Sequence, residues 1–529
     1  MELRPVPGWR TIPRMLRDQA AHHGDAEVVV SGDVRLTLAE LAERASEVAR
    51  ALMALGVAPG DRVAVWAPNT PDWVVAAYGI WDAGAIIAPL STRFKGLEAG
   101  GLLRKVGARV LLVAEGFMGT SYLDMLAGER GSLPDLEHVV ILGTAVPARS
   151  GALGWAEFLA GGSAVAPEAA EERALSVGPD DLAEIMSTSG TTGAPKGVML
   201  HHDQLLRGYW DWSELVTLRA GDRYPIIAPF SHGFGINAGL LACVLRRATM
   251  MPIALFAPDE LMDLIERERV SVLAGAPPMF FKILDELAVR DVSSLRVAIC
   301  GAAAVPPELV RRLVDRAGLE RVINAYGLME GTVVSMTRAG DPVEVIAGST
   351  GRPVPGVTVR VVGDDGKDLA PGERGEILVG GYGVMRGYWR DPERTAEAVD
   401  TGGWLHTGDI GTLDEAGNLA IVDRKKEMFI VSGFNAYPAE IEGLLLRCPQ
   451  VAQVAVIGVP DERQGEVGLA YVVPPPGVSA DPAGIIAWAR DHMSNYKVPR
   501  RVVPVDALPV NANGKIDKSA LRARALAGD

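Results

Sequence analysis

The chain has 529 residues, 48% of them hydrophobic, with 52 Lys and Arg against 66 Asp and Glu for a formal net charge of −14. That length exceeds what one hydrophobic core usually covers, so two or more domains are expected. The composition excludes a disordered chain, and the acidic balance argues against loose binding to nucleic acid or anionic lipid, so any phosphate site must be local.

The amino-terminal run MELRPVPGWRTIPRMLRDQAAHHG has no apolar h-region, which argues against a signal peptide. Residues 26–114 alternate short β-branched runs (VVV at 28–30, VAVW at 63–66, AIIAPL at 85–90, VLLV at 110–113) with helix-period segments, the pattern of α/β layering. Thr37 followed by Glu40 predicts a capping box. Leu38, Leu41, Ala45, Val48 and Leu52 then fall on one helix face, and Gly56 is placed to end that helix. The most apolar stretches, WVVAAYGIWDAGAIIAPL and GINAGLLACVLRRATMMPIALF, are broken by Asp82 and by Arg246-Arg247, so they predict buried helix–strand pairs and no membrane span. Cys243, Cys300 and Cys448 lie far apart without CxxC or CxxH spacing, which predicts buried thiols and fits a reducing cytoplasm.

Residues 187–197 read S-T-S-G-T-T-G-A-P-K-G, a loop dense in hydroxyls and glycines with one lysine, the chemistry that holds a polyphosphate. It is not a Walker A loop, because Lys196 is followed by Gly197-Val198-Met199-Leu200, which predicts a strand. From 223 to 325 the α/β alternation resumes as a second doubly wound layer. Within it, Gly301-Ala302-Ala303 permit close approach of a flat base. Residues 326–331, Y-G-L-M-E-G, close an apolar run on Glu330, where an unpaired carboxylate is costly and a cation is a natural partner. Tyr326 offers adenine a flat face, a role compatible with core packing.

Residues 345–422 become short strands with turn signals at Asp365-Gly366 and Ala416-Gly417-Asn418, a compact β subdomain. Asp409, after a Thr-Gly turn, suits two vicinal hydroxyls, and is otherwise a loop or cap aspartate. A charged stretch after Asp423 leads into a βαβ-like run and a basic tail, which places a boundary between a body of 1–422 and a cap of 423–529. Lys515 sits in a polar Asn-Gly-Lys loop, where a lone lysine is usually solvated.

Taken in order, STSGTTGAPKG, YGLMEG, WLHTGD (404–409), DRKKEMFIVSGFNAYPAEIE (423–442) and PVNANGK (509–515) resemble the motifs of the adenylate-forming superfamily: acyl-CoA synthetases, adenylation domains of nonribosomal peptide synthetases, and luciferases. The resemblance spans essentially the whole chain. It implies an α/β fold, with a large N-terminal body of two doubly wound subdomains plus a small β subdomain, and a small mobile α+β C-terminal domain hinged at Asp423. It implies ATP, Mg2+ and CoA. Thr188, Ser189, Gly190, Thr191, Thr192, Gly193 and Lys196 then fall on the polyphosphate; Gly301, Ala302, Ala303, Asn324, Tyr326, Gly327 and Met329 surround the nucleotide; Asp409 and Arg424 hold the ribose. Glu330 holds Mg2+, Gly433 and Phe434 line the pantetheine channel, and Lys515 is the mobile lysine that bridges carboxylate, α-phosphate and ribose oxygen. Lys515, Glu330, Thr188 and His232 are the expected catalytic set, although His232 reads equally as a packed histidine.

The 230s, P-F-S-H-G-F-G-I-N-A-G, lack the aspartate expected of an amino-acid-activating domain, and little chain follows Lys515 for a carrier domain, so free CoA is the expected acceptor. SHGFGINAG, GAPPMFF and GFNAYPAEIE resemble actinobacterial ligases for polycyclic, steroid- or terpenoid-derived acids. Gly233, Gly235, Ala238, Gly239 and Gly301 to Ala304 either leave room for such an acid or permit close helix–sheet packing. The expected reaction is ATP + carboxylic acid + CoA to acyl-CoA + AMP + diphosphate through an acyl-adenylate, in the cytoplasm, with no nucleic acid and with a homodimer left open. Met329 departs from the superfamily, which usually has Thr or Ser there, and a thioether cannot donate the corresponding hydrogen bond. A second expectation follows: weak or absent adenylation, with the chain mainly passing a preformed acyl-adenylate from a separate adenylating partner enzyme to CoA. A third is a non-catalytic acyl- or nucleotide-binding relative.

Overall fold

Thr37 Oγ1 accepts from Glu40 N and the Glu40 carboxylate accepts from Thr37 N, closing the predicted capping box at the head of helix Leu38–Ala54. Leu38, Leu41, Ala45, Val48 and Leu52 are all fully buried, and Gly56 follows the helix in the left-handed region with φ +81°. The computed structural model describes residues 4–143, 151–188, 196–301, 305, 307–363, 365–424, 429–436, 438–509 and 516–527.

The largest sheet has seven strands in the order Leu153–Gly154, His138–Ile141, Val110–Val113, Arg62–Trp66, Ile86–Pro89, Leu182–Thr188 and Lys196–His201. All neighbours are parallel except the last pair. The chain therefore re-enters as a strand at Lys196, as expected, where a P-loop would begin a helix.

Strand neighbours differ from strand order. Glu27–Ser31 leaves the first alternation and lies between Val34–Thr37 and Thr249–Pro252 in a four-stranded sheet completed by Arg223–Ile226. The two doubly wound layers read from the sequence thus share a sheet. Periodicity identifies a strand, whereas its neighbours depend on which apolar faces the fold brings together.

The rest of the second layer forms a five-stranded sheet. Val272–Gly275, Val297–Gly301 and Arg321–Leu328 run parallel, and Thr332–Met336 and Arg352–Pro353 continue antiparallel. The β subdomain is a four-stranded antiparallel sheet of Val357–Val362, Gly375–Gly381, Leu405–Leu413 and Leu419–Arg424.

The small C-terminal domain is built on Phe434–Ala436, Phe429–Val431, Gly465–Val473 and Gln453–Asp461, with Arg501–Pro504 pairing parallel to Gly465–Val473. Helices Pro438–Leu445 and Pro482–His492 bury Ile441, Leu445, Ile485 and Ala489 in the same core as Val456 and Val472. All three cysteines are buried and free. No described helix is long and apolar enough to cross a membrane.

Candidate active site

Three of the segments singled out in the sequence, those at Thr188, Gly301 and Tyr326, lie at the C-terminal ends of parallel strands, where open α/β sheets bind ligands. Thr188 ends strand Leu182–Thr188, Gly301 ends Val297–Gly301, and Tyr326 to Leu328 end Arg321–Leu328. Met329, Glu330 and Gly331 form the turn that returns the chain into Thr332–Met336. Y-G-L-M-E-G thus forms the end of a hairpin at the junction of the parallel and antiparallel parts of this mixed sheet.

Glu330 is the meeting point. Thr188 Oγ1 donates to Glu330 Oε1 at 3.4 Å, and Tyr388 OH donates to the same oxygen at 2.9 Å. Lys196 pairs with Thr188 across the ladder, and its ammonium lies 4.4 Å from the centroid of the Tyr388 ring. Tyr388 arrives because residues 387–389 run alongside strand Lys196–His201, with Met199 N donating to Gly387 O at 3.0 Å and Trp389 N to Gly197 O at 2.7 Å. Sequence reasoning passed over Tyr388: a Gly-Tyr-Trp run carries no local mark of a contact 58 residues away. Among the described residues no group of three or more His, Cys, Asp or Glu side chains is placed to hold a metal. A single carboxylate flanked by a hydroxyl nevertheless suits Mg2+, which prefers oxygen donors and takes one or two carboxylates together with nucleotide phosphates.

The residues expected around the nucleotide and its ribose also converge. Tyr326 OH donates to Asp409 Oδ2 at 2.6 Å. Thr407 Oγ1 donates to Ile377 O and accepts from Asp409 N, setting the bend that aims Asp409 inward. Register places the Arg424 backbone directly opposite Asp409; the Arg424 side chain lies outside the described residues. Gly327 cannot carry a side chain, because a Cβ would lie 2.4 Å from Thr332 O. Asn324 is buried, and its amide donates to Ile346 O at 3.1 Å and Ser349 O at 2.9 Å, tying strand Arg321–Leu328 to helix Val343–Gly348. Ser189, Gly190, Thr191, Thr192, Gly193, Ala302, Ala303 and Lys515 lie outside the described residues.

His232, expected on the acyl side, is exposed at its surface while the rest of its ring is surrounded by protein. Phe234 N donates to its Nδ1 at 3.2 Å, which holds the ring with Nδ1 as acceptor, and the surrounding protein depresses its pKa. The glycines behind it divide between the two readings. A Cβ on Gly235 would meet Pro229 O at 2.1 Å and one on Gly239 would meet Ile226 Cγ2 at 2.8 Å, so those two serve close packing. A Cβ on Gly233 would meet Met329 Sδ at 3.0 Å: the thioether from the hairpin tip occupies the space this glycine leaves.

A second polar group was not legible in the sequence. Glu184, four positions before Thr188, is fully buried, and Asn237 Nδ2 donates to its Oε2 at 3.0 Å. Burial pushes the Glu184 carboxyl up to about 7 against the opposing pull of the Asn237 amide.

The small domain meets the body beside this cleft. Gly433, with φ +84°, brings its backbone so close to Ala276 that a Cβ would lie 3.6 Å from the alanine methyl. The Phe434 ring stacks on Tyr496 with centroids 5.0 Å apart and carries the Arg93 guanidinium 4.0 Å from its own centroid.

Known proteins share this plan. Residues 16–389 match the AMP-binding enzyme family model and residues 440–515 match that of the AMP-binding enzyme C-terminal domain. The chain is 44% identical over 518 residues to the 3-[(3aS,4S,7aS)-7a-methyl-1,5-dioxo-octahydro-1H-inden-4-yl]propanoyl:CoA ligase of Rhodococcus jostii strain RHA1, covering 97% of this chain and 98% of that protein. A Mycobacterium tuberculosis protein of the same description is also 44% identical, again over 97% of this chain and 98% of its own length. Among solved structures, the amide bond synthetase McbA from Marinactinospora thermotolerans superposes with a TM-score of 0.84 at 29% identity, covering 97% of this chain and 99% of its own. The o-succinylbenzoate CoA synthetase MenE of Bacillus subtilis, a double mutant bound to a product analogue, gives 0.79 at 25% identity over 96% and 97%.

Proposed function

The chain belongs to the AMP-binding enzyme family, and on that premise we propose that it ligates a bulky, polycyclic apolar carboxylic acid to CoA with cleavage of ATP to AMP and diphosphate. The observation that carries the substrate class is the 44% identity, over nearly the full length of both chains, to a ligase named for a bicyclic dioxo-propanoyl acid. The Glu330 cluster supports the chemistry: a carboxylate, two hydroxyls and an ammonium gathered at the mouth of a glycine-rich loop.

Two steps follow. The substrate carboxylate attacks the α-phosphorus, the new P–O bond forms, and the bond to diphosphate breaks. Asp409 and Arg424 hold the ribose, Tyr326 flanks the base, Thr188 and Lys196 receive phosphate oxygens, and Lys515 offsets the developing charge. Glu330 would hold Mg2+, which when bound neutralises the phosphates as diphosphate leaves. The small domain then turns about Asp423, bringing the Gly433–Phe434 strip against the acyl side, and CoA thiolate attacks the acyl carbonyl as AMP departs. Positioning and electrostatics carry both steps; no protein nucleophile is required. The reading places the protein in the cytoplasm and leaves the 1–422/423–529 boundary and a homodimer to be checked by limited proteolysis and sedimentation.

The test is a carboxylic-acid panel of medium and long fatty acids, aryl acids and polycyclic acids, read as AMP and acyl-CoA. Polycyclic acids are expected to give the highest kcat/KM; no AMP from any acid, or a clear preference for linear chains, overturns the reading. Met329 packed over Gly233 favours a second reading, in which adenylation is weak and a separate adenylating partner enzyme supplies the acyl-adenylate. Diphosphate release from ATP plus acid, compared with thioester formation from synthetic acyl-adenylate, separates the two.

A further inference from the structure

Glu184 and Asn237 form a buried polar pair in an otherwise apolar region, and the pair is incomplete. Glu184 is 0% exposed and Asn237 1% exposed, yet Glu184 Oε1 and Asn237 Oδ1 have no hydrogen-bond partner among the described residues. Asn237 is delivered by a π-helical turn, Ile236–Leu241. Such turns rotate a side chain out of α-helical register and are frequent at functional sites.

Tyr209, from helix His202–Leu215, extends the pair toward the cleft. Burial together with the Glu184 carboxyl raises the pKa of its hydroxyl against the opposing pull of the Asn237 amide, and the hydroxyl lies 3.8 Å from the point a Gly233 Cβ would occupy. That is the point Met329 Sδ approaches to 3.0 Å. Glu184 and Asn237 are hydrogen-bonded, and the Tyr209 phenol, which both influence, ends between the glycine beside His232 and the tip of the hairpin that carries Glu330. Ligand pockets are mostly apolar with a few converging polar groups that fix orientation, and this group has that form.

Resting on the ligase reading, we propose that Tyr209, positioned by Asn237 and Glu184, is the specificity-determining contact for an oxygen substituent, ketone or hydroxyl, on the ring system of the acyl substrate. The phenol donates to the substituent oxygen. Asn237 and Glu184 hold the phenol in place from behind, and the unbranched Met329 side chain is the wall that yields as the ring enters.

The experiment uses the full-length protein and two acyl-sulfamoyl adenosines on one bicyclic propanoyl skeleton, with and without a ring ketone, each titrated by calorimetry beside steady-state assays of the parent acids. The wild-type protein is expected to bind the ketone analogue at least about tenfold more tightly. Tyr209→Phe is expected to erase that preference, chiefly by weakening the ketone analogue, and to raise KM for the ketone acid more than it lowers kcat. Glu184→Leu should act the same way, and Glu184→Gln, whose amide oxygen still accepts from Asn237, should restore most of the preference. A wild-type protein that binds both analogues equally, or a Tyr209→Phe that weakens both equally, overturns the proposal. A protein that prefers the ketone analogue yet forms no acyl-CoA from any acid leaves this contact standing and overturns the ligase reading instead.

Discussion

Met329 shows how one side chain bears on both chemistry and shape. Its thioether adds apolar bulk against Gly233 and removes a hydroxyl beside Glu330. Loss of one charge-stabilising donor costs on the order of 10²-fold in rate. Met329→Thr is therefore expected to raise diphosphate release from ATP plus acid by roughly tenfold or more, with a smaller change in thioester formation from synthetic acyl-adenylate. Unchanged diphosphate release would remove Met329 as the residue that limits adenylation. Glu184 makes a prediction of the opposite kind, about stability. Its carboxyl is held near 7 against an ordinary 4.5, so the fold favours the protonated form. The resulting contribution is fully present below about 4.5 and is lost as pH rises through about 7, a swing on the order of 3 kcal/mol. Glu184→Gln removes that titration, so its melting temperature should gain on the wild type between pH 5 and pH 8. An equal offset at both pH values would contradict the assignment.

At the scale of elements, local rules performed well wherever the partners are close in sequence. The Thr37–Glu40 box, the buried face of helix Leu38–Ala54 and the strand at Lys196 were all legible because each rests on contacts a few residues apart. The Glu330 cluster was half legible. Thr188, Lys196 and Glu330 carry motif chemistry in their own neighbourhoods, whereas Tyr388 depends on a backbone segment laid along Lys196–His201. Tyr388→Phe removes the 2.9 Å bond to Glu330 and keeps the ring under Lys196. The expected result is a KM for Mg·ATP raised by roughly three- to tenfold at nearly constant fold stability, since one hydrogen bond to a charged group contributes about 1.5–3 kcal/mol at most. A melting-temperature loss with unchanged KM would instead make Tyr388 a packing residue.

At the scale of the molecule, the body and the small domain are joined by a buried ionic contact. Lys497 is 1% exposed and donates to Glu98 at 2.7 Å, on helix Gly96–Val106 of the body, and to Glu440 at 2.5 Å, on helix Pro438–Leu445 of the small domain. Burial alone pulls the lysine pKa down, but Glu440, Tyr496 and Glu98 outweigh it and keep the ammonium charged. Lys497→Met leaves two carboxylates buried without their shared cation and is expected to cost about 3–5 kcal/mol, read as a lower unfolding midpoint. In the proposed two-step cycle the small domain turns between half-reactions, and this contact belongs to the arrangement that packs Gly433 against Ala276, the one assigned to thioester formation, so Glu98→Gln should raise diphosphate formation relative to acyl-CoA formation. An unchanged ratio would separate the contact from the turnover cycle. The sequence by itself determined the α/β class, the glycine-rich loop, the carboxylates at 330 and 409 and the family resemblance, because each is written in contiguous residues whose chemistry is local. The tertiary structure alone decided that Glu27–Ser31 crosses to a strand from the second layer, that Met329 fills the space at Gly233, that Tyr388 reaches Glu330, and that Glu184 lies buried against Asn237. Those contacts join residues far apart in the chain, and they exist only once buried faces have chosen their partners.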